Sequence, residues 1–521
     1  MLNYWWVSRP KRKLNSIPAV LACFATVALN CDWQGDIYTH MKFEEALEKA
    51  GLKRIGERRD QRGSGGRTYY AWLSSLGLIF IHEKTGQTKL TLAGEAILNG
   101  NNSVAVLRNQ VLKYQFPSPF SLSLNNSRSR VHERFKIRPF RFLLKLLRDS
   151  AIDCKLMQDE IGRVIAVEAT DESESVYNAV INRIVQYREK GVKSLSEDFI
   201  DQYAPSSNKV NVSHPFSHLD DLANTLINWL EYTQYISRED QFIRILPEKI
   251  GEIDAFLNVS SEMIGRPCDQ EYFQRKFGLD LVHIKDNRNF LDTQTITSSI
   301  INEQIIKQAF ISESLNRPIA RIDADIISCI SARTGIKPSQ IDNTLNRLYP
   351  HGAIGSFMTE YFGMAFQGRD RASDFEKATA ELFQRVFGFK TYHTGPIGLT
   401  PDVLLVSESS GYQAIIDNKA YSTYSISNDH HNRMVHNYIR NISSYAEEDL
   451  PLAYFSYIAG GFCSYIDNQI NKIIQETDVC GSAISVTNII RLVELHQNEP
   501  YTHDQLMRLF STGRQILVTD L

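Results

Sequence analysis

The sequence predicts a multidomain α+β protein, with small helix-and-hairpin modules through its N-terminal half and an α/β domain in its C-terminal third. Three observations lead there. The chain has 521 residues, too many for one hydrophobic core, so roughly three or four domains are expected. Charge is unevenly divided: residues 1–150 hold 24 Lys and Arg against 11 Asp and Glu, a net +13, while the other 33 bases and 49 acids give −16. The stretch Pro401–Tyr421 reads as a β-hairpin, with apolar runs Val403–Val406 and Tyr412–Ile416 on either side of the turn-rich Ser407–Gly411. Hydrophobic content of 43% and charged content of 22% are those of an ordinary globular chain and exclude fibrous and low-complexity classes.

In chain order, residues 17–30 and 40–51 read as helices. Phe43, Leu47 and Ala50 share one apolar face and Gly51 suits the cap. Arg54, Arg58, Arg59, Arg62 and Arg67 then surround Gly63-Ser64-Gly65-Gly66. Glycine lets a backbone approach phosphates and arginine pairs with their oxygens, although a plain surface loop has the same composition. Next come a helix through Tyr69–Leu73, the stretch Leu76–Ile79, a strand, a turn at Gly86, a second strand and the helical Ala93–Leu98. Helix, wing and helix in that order form the pattern of a winged helix.

Residues 120–141 read as a basic loop containing Arg128, Arg130, Arg134, Lys136, Arg138 and Arg141, of the kind that orders on DNA. Pro139 starts an apolar helix, and helical segments follow near Cys154–Ala166 and Ser173–Lys190. The amphipathic helix Leu219–Tyr232 leads to a hairpin at Tyr235–Arg238 and Phe242–Leu246. These predict two more winged-helix-like units, near 135–210 and 215–262, with no exact sequence repeat. Residues 265–350 read as mostly helical. Beyond the hairpin come a helix at Asp429–Ile442, strands at Tyr454–Phe462 and Ala483–Val486, and a helix at Val486–Glu499, so the last domain is α/β around a mixed sheet. The expected divisions are 1–110, 111–210 and 211–264 for the DNA-binding units, 265–349 for a helical linker and 350–521 for the α/β domain.

The hairpin carries the chemistry. Side chains alternate along a strand, so Asp417 and Lys419 share one face and Asn418 takes the other. The hairpin brings Asp402, at the start of the first strand, to the same end. Two carboxylates beside a lysine suit metal-assisted phosphodiester hydrolysis. Carboxylate oxygens are hard ligands for Mg²⁺, with the Asn418 backbone carbonyl as another oxygen, and the lysine can orient or deprotonate a water. A bare Asp-x-Lys occurs by chance at solvated strand ends. The Pro401-Asp402 pair upstream, and the acid-bearing helix before it, set this one apart.

Phe375–Phe389, Pro401-Asp402 and Ile416–Ser422 together resemble the cleavage domain of FokI-type restriction endonucleases over roughly residues 350–521, a PD-(D/E)xK nuclease core. The remainder, including Leu76–Leu98 and the element Lys113-Tyr114-Gln115-Phe116-Pro117, resembles the AlwI-type branch of type IIS enzymes. The resemblance implies N-terminal winged-helix DNA-binding domains followed by a nuclease domain. It makes Asp402, Asp417 and Lys419 the catalytic positions, with Glu376, ahead of Glu381, as the helix acid. It implies Mg²⁺ on Asp402, Asp417 and the Asn418 carbonyl, and double-stranded DNA as substrate. Arg54, Arg58, Arg59, Arg62, Arg67, Arg128, Arg130, Arg134, Lys136 and Arg138 are the candidate DNA contacts. One core holds one active site, so cutting both strands implies a transient homodimer through the cleavage domain. Arg433 and Asn437 fall where the family's interface charges lie, so its ion pairs are not carried over. A strand-specific nickase of the same chemistry, and a non-catalytic DNA-binding protein with a relic nuclease fold, are the alternatives. A matching methyltransferase is expected from the class.

Ile17–Leu29, after the basic Arg9–Lys13, has the look of a signal peptide. The resemblance runs through this region and a cytoplasmic nuclease needs no export, so neither export nor membrane insertion is expected. The seven cysteines are scattered and odd in number, with no Cys-x-x-Cys pair. They predict buried thiols in a reducing cytoplasm, with neither a zinc ribbon nor a disulfide framework.

Overall fold

The computed structural model describes residues 2–34, 36–56, 61–99, 101–121, 131–205, 211, 213–239, 242–259, 261–279, 286–290, 298–349, 352–366, 368–394 and 400–521. Arg58, Arg59, Arg128 and Arg130 lie outside these residues. The chain divides into two compact units. The first comprises 1–312 and 330–344, the second 313–329 and 345–521.

The first unit opens with α1 (Ile17–Val27), α2 (Ile37–Lys49) and α3 (Ser64–Ser75), then an antiparallel hairpin of β1 (Ile79–Ile81) and β2 (Thr88–Leu90). Helix α2 starts at Ile37, three residues before the expected position, because the Asp36 carboxylate caps it by accepting from the Tyr38 amide. Phe24 and Phe43 meet edge to face at 5.2 Å, and Trp33 stacks on Tyr70 at 4.4 Å, so an aromatic core ties the three helices together. Then come α4 (Leu92–Leu98) and α5 (Ser103–Lys113).

After α5 follow α6 (Pro139–Leu146), β3 (Leu156–Met157), α7 (Gln158–Glu160) widening into a π turn at Ile161–Ile165, and α8 (Ala166–Glu168). The helix expected from Cys154 thus begins at Gln158, because Leu156 and Met157 form a strand. Next are α9 (Glu174–Lys190), α10 (Phe199–Gln202), α11 (Ser217–Tyr232), β4 (Ile236–Glu239), β5 (Phe242–Ile245) and α12 (Ile250–Asn258). Strand β5 pairs with β4 on one side and β3 on the other. The regions expected as separate units at 111–210 and 211–264 therefore share one three-stranded sheet.

The expected linker also differs. Helix α13 (Gln270–Phe277) is fastened to the first hairpin region: Gln274 donates to the Ser74 carbonyl at 2.9 Å, Gln110 donates to the Phe277 carbonyl at 2.9 Å, and Gly278 accepts from the Ala93 amide at 2.7 Å. The helical stretch proper is α14 (Ser298–Asn316), α15 (Ala324–Thr334) and α16 (Pro338–Leu348).

The second unit contains α17 (Ile354–Met364), α18 (Ala372–Arg385), β6 (Lys390–His393), β7 (Val403–Ser407), β8 (Tyr412–Lys419), α19 (Asn428–Asn432), β9 (Leu452–Ala459), α20 (Ile466–Thr477), β10 (Cys480–Ser485), α21 (Val486–Asn498), α22 (His503–Phe510) and β11 (Gln515–Ile516). Its sheet runs β11-β10-β9-β8-β7-β6. Strands β6, β7 and β8 are antiparallel, and β8 through β11 are parallel, as expected of a mixed sheet. Every residue of β7, and all of β8 but Lys419, is buried, the mark of central strands covered on both faces. The expected helix at 429–442 is α19 continued by a π turn, Arg433–Ile439. Met434, Val435, Tyr438 and Ile439 pack there with Leu404, Ile415 and Phe455.

All seven cysteines are unpaired, as expected, but they are not buried. Cys268 and Cys480 are exposed and the other five are partly so. Cys268 lies in the turn before α13, and Cys480 is the one exposed residue of β10. Among the described residues no helix is long and apolar enough to cross a membrane.

Candidate active site

The site lies in the second unit, where β7 begins and β8 ends. Register pairs Val403 with Ile416, so Asp402 falls beside the start of Asp417-Asn418-Lys419. The Asp402 carboxylate accepts from the Asn418 backbone amide at 2.6 Å. Lys419 Nζ is 2.7 Å from an Asp417 oxygen, with the Asp417 side chain 3% exposed and that of Lys419 14%. The hairpin thus assembles the three expected residues at one sheet end.

Helix α18 supplies Glu376, whose carboxylate lies 3.2 Å from His393 Nε2 at the end of β6. Glu376 contributes to the field at both Asp402 and Lys419. Glu381 instead pairs with Arg385 one turn along, at 2.6 Å and partly exposed. Glu376 is the acid that faces the site.

The electrostatics are unbalanced. Burial, and then the Asp417 charge, push the Asp402 carboxyl well above the usual carboxylate range. Burial alone would lower Lys419, but Asp417 and Asp402 outweigh it and hold the ammonium above its ordinary value. Lys419 is therefore a cation here. As an ammonium it can donate a hydrogen bond to a water or a phosphate oxygen.

Asp417 Oδ1 is buried and has no hydrogen-bond partner among the described residues. An orphaned carboxylate oxygen beside a second carboxylate fits a hard divalent cation. No group of three or more His, Cys, Asp or Glu with cation-binding geometry occurs among the described residues. Mg²⁺ commonly uses one or two carboxylates and completes its shell with water and substrate phosphate, so two acids are a sufficient protein contribution.

Three further residues adjoin the site without a sequence motif to announce them. His393 pairs with Glu376 as described. The Tyr424 hydroxyl is 2.8 Å from His430 Nδ1. Burial and then Lys419 lower the His430 pKa, while burial and then Asp417 raise that of Tyr424.

The candidate DNA contacts in the first unit divide. Arg54, Arg62 and Lys136 are exposed. Arg67 donates to the Arg62 carbonyl, bending the two together at the start of α3. Arg134 and Arg138 are engaged internally. Arg134 donates to the Asn3 and Val167 carbonyls at 2.8 and 2.7 Å, and Arg138 Nε to Glu172 at 2.8 Å. Arg141, from the same segment, donates to the carbonyls of Phe256 and Leu257 at 3.0 and 2.6 Å. Arg134, Arg138 and Arg141 are thus bonded within the protein, while Lys136 of the same segment is exposed.

The glycines of the expected phosphate loop are also structural. Gly63, at φ +73°, Gly65 and Gly66 form the start of α3, where a Cβ would fall 2.7 Å from His40, 2.2 Å from Glu44 and 2.3 Å from the His40 carbonyl, respectively. They let α2 and α3 touch.

Residues 74–346 match the family model of the AlwI restriction endonuclease, and residues 335–517 match that of the FokI cleavage domain. The first match spans more than half of the chain, and the chain belongs to the AlwI restriction endonuclease family. A curated relative, the type II restriction enzyme StsI of Streptococcus sanguinis, is 24% identical over 147 residues, 26% of this chain and 24% of that protein. The chain thus spans about a quarter of the length of the curated relative it matches.

Among solved structures, restriction endonuclease FokI is 13% identical with 98% of this chain and 99% of that chain covered, at a TM-score of 0.29. FokI bound to DNA is 14% identical with 88% and 84% covered, at 0.28. The BpuJ1 endonuclease binding domain, in complex with modified DNA, is 13% identical with 52% and 94% covered, at 0.35. Scores this low carry no argument about the arrangement of the chain.

Proposed function

We propose that the chain is a type IIS restriction endonuclease: it binds a short asymmetric double-stranded DNA site and hydrolyses phosphodiester bonds at a fixed distance outside it, with Mg²⁺. The observation that carries this reading is the convergence of Asp402, Asp417 and Lys419 on one sheet end with acid in excess, on a chain of the AlwI family. The second unit is read as the PD-(D/E)xK domain. The three helices and hairpin at 17–90, and the helices around β3, β4 and β5, are read as winged-helix DNA-binding modules.

Asp402 and Asp417 would hold the metal, with the Asn418 carbonyl next to them. When bound, Mg²⁺ supplies charge stabilisation on the phosphate and acidifies a water. Lys419, held as a cation, positions the attacking water and faces the phosphate charge. Glu376, braced by His393, adds a further acceptor. Arg54, Arg62, Arg67 and Lys136 remain the described DNA contacts of this reading, acting on phosphates.

One nuclease core holds one such site, so cutting both strands requires a transient homodimer through the second unit. A nicking enzyme is the second reading. It is favoured by Arg433, which pairs with Asp429 in its own helix at 2.9 Å, so that charge is already met within the protomer.

Incubating supercoiled plasmid with the purified protein, with Mg²⁺ or with EDTA, separates these readings. Discrete linear fragments that require Mg²⁺ are expected. Open circles alone would support the nickase. DNA bound but intact under all conditions would overturn the nuclease reading and leave a DNA-binding protein.

A further inference from the structure

The residue between the two catalytic positions of β8 is Asn418, and it is buried. Strand alternation turns its side chain away from Asp417 and Lys419, towards α18. There its Nδ2 donates to Thr379 Oγ1 at 2.6 Å. Thr379 is fully buried, makes a 2.8 Å hydrogen bond with the Tyr361 hydroxyl of α17, and donates to the Phe375 carbonyl at 2.9 Å. A threonine hydroxyl has one proton and two lone pairs. With its proton on Phe375, both lone pairs accept, one from Asn418 and one from Tyr361, so the hydroxyl's capacity is full.

This node sits close to the chemistry on each side. Thr379 lies three residues after Glu376, hence nearly one turn along α18. Asn418 lies between Asp417 and Lys419, and its own backbone amide holds Asp402 at 2.6 Å. One asparagine therefore grips Asp402 with its backbone and the acid-bearing helix with its side chain.

We propose that the buried chain Tyr361–Thr379–Asn418 is a positioning device that locks α18 to β8 and so sets the placement of Glu376 against Asp402, Asp417 and Lys419. None of the three touches substrate in this account. They act through the four residues they place. An apolar trio of the same volume would fill the space without the directional bonds that specify one arrangement of the helix on the strand. The inference rests on the nuclease reading above.

The test compares Thr379→Val, which keeps the shape and deletes the hydroxyl, with Thr379→Ser, which restores it. Both are assayed as the full chain at a temperature well below melting. Misplacement of groups around a metal or a reacting centre costs about 10- to 100-fold in activity or metal affinity. Thr379→Val is expected to lower single-turnover cutting by that factor and to raise the Mg²⁺ concentration for half-maximal cutting, with DNA affinity unchanged. Thr379→Ser is expected to recover most of the rate.

A second readout omits DNA: the rise in melting temperature that Mg²⁺ gives the unmodified chain should shrink in Thr379→Val. If Thr379→Val does not fold, Tyr361→Phe removes one bond without leaving a cavity and is expected to lower cutting several-fold. Cutting by the folded variant at the unmodified rate and Mg²⁺ dependence would overturn the inference while leaving the nuclease reading intact. Failure of the unmodified chain to cut at all would overturn both.

Discussion

Two buried charge clusters, one in each unit, are built in opposite ways. In the first unit Glu160, fully buried, accepts from Arg188 Nε at 2.6 Å and from the Met157 amide at 2.8 Å, and Arg188 also donates to the carbonyls of Ile152 and Lys155 at 2.9 and 2.8 Å. Acid and base match, and both carboxylate oxygens are satisfied. In the second unit Asp402 and Asp417 lie with Lys419, Glu376 adds to their field, and Asp417 Oδ1 has no hydrogen-bond partner among the described residues. A cluster that only holds a fold together neutralises itself, since an uncompensated buried charge is costly. On the proposed nuclease reading, a cluster left short of positive charge would take up a cation, with the water and phosphate around it.

Predictions follow that contrast from the largest effect down. Asp417→Ala should cut DNA about 10³-fold more slowly or worse while melting near the unmodified temperature, as measured by plasmid cleavage and calorimetry on one preparation. Arg188→Ala should do the reverse. It strands Glu160 and should cost about 3–5 kcal/mol of stability by urea denaturation, with the cutting rate per folded molecule unchanged. A loss below about 1 kcal/mol would break the comparison from the structural side.

Arg138 and Arg62, two of the candidate DNA contacts in the first unit, give the smallest effects. Arg138→Ala should lower stability by about 1–3 kcal/mol through the loss of its bonds to Glu172, leaving the salt dependence of DNA binding alone. Arg62→Ala should reduce the slope of log affinity against log salt by about 0.9, the amount for one phosphate contact.

The same contrast explains what the sequence disclosed. The hairpin was readable because two apolar runs and a turn fix a register, and register alone puts Asp402 beside Asp417 and Lys419. The choice of Glu376 over Glu381 was open because helical spacing does not say which face meets the sheet. It closed once α18 crossed β8. His393, Thr379 and Tyr361 gave no local signal, since their partners arrive from other elements. Charge counting found the basic first third but not its division: Arg134 and Arg138 look like Arg54 and Arg62 until Val167 and Glu172 come beside them. Strand β3, two residues long, is too short to show in a sequence pattern, and it is the strand that joins 111–210 to the sheet of 211–264. The glycines at 63–66 were read as an approach to phosphate when the approach is to α2.

The most direct test of the central claim is Asp402→Asn, assayed for cutting and for melting on the same sample. The carboxyl pKa of Asp402 is raised in the folded state. Its contribution to stability is therefore complete below the ordinary carboxylate value and is lost as pH rises through the raised one. Asparagine carries no charge and still accepts from the Asn418 amide. The account predicts that Asp402→Asn abolishes cutting yet melts higher than the unmodified chain at pH 8, by the equivalent of about 1–2 kcal/mol, with the gain shrinking towards pH 5. A variant that melts lower at pH 8 and still cuts would contradict it.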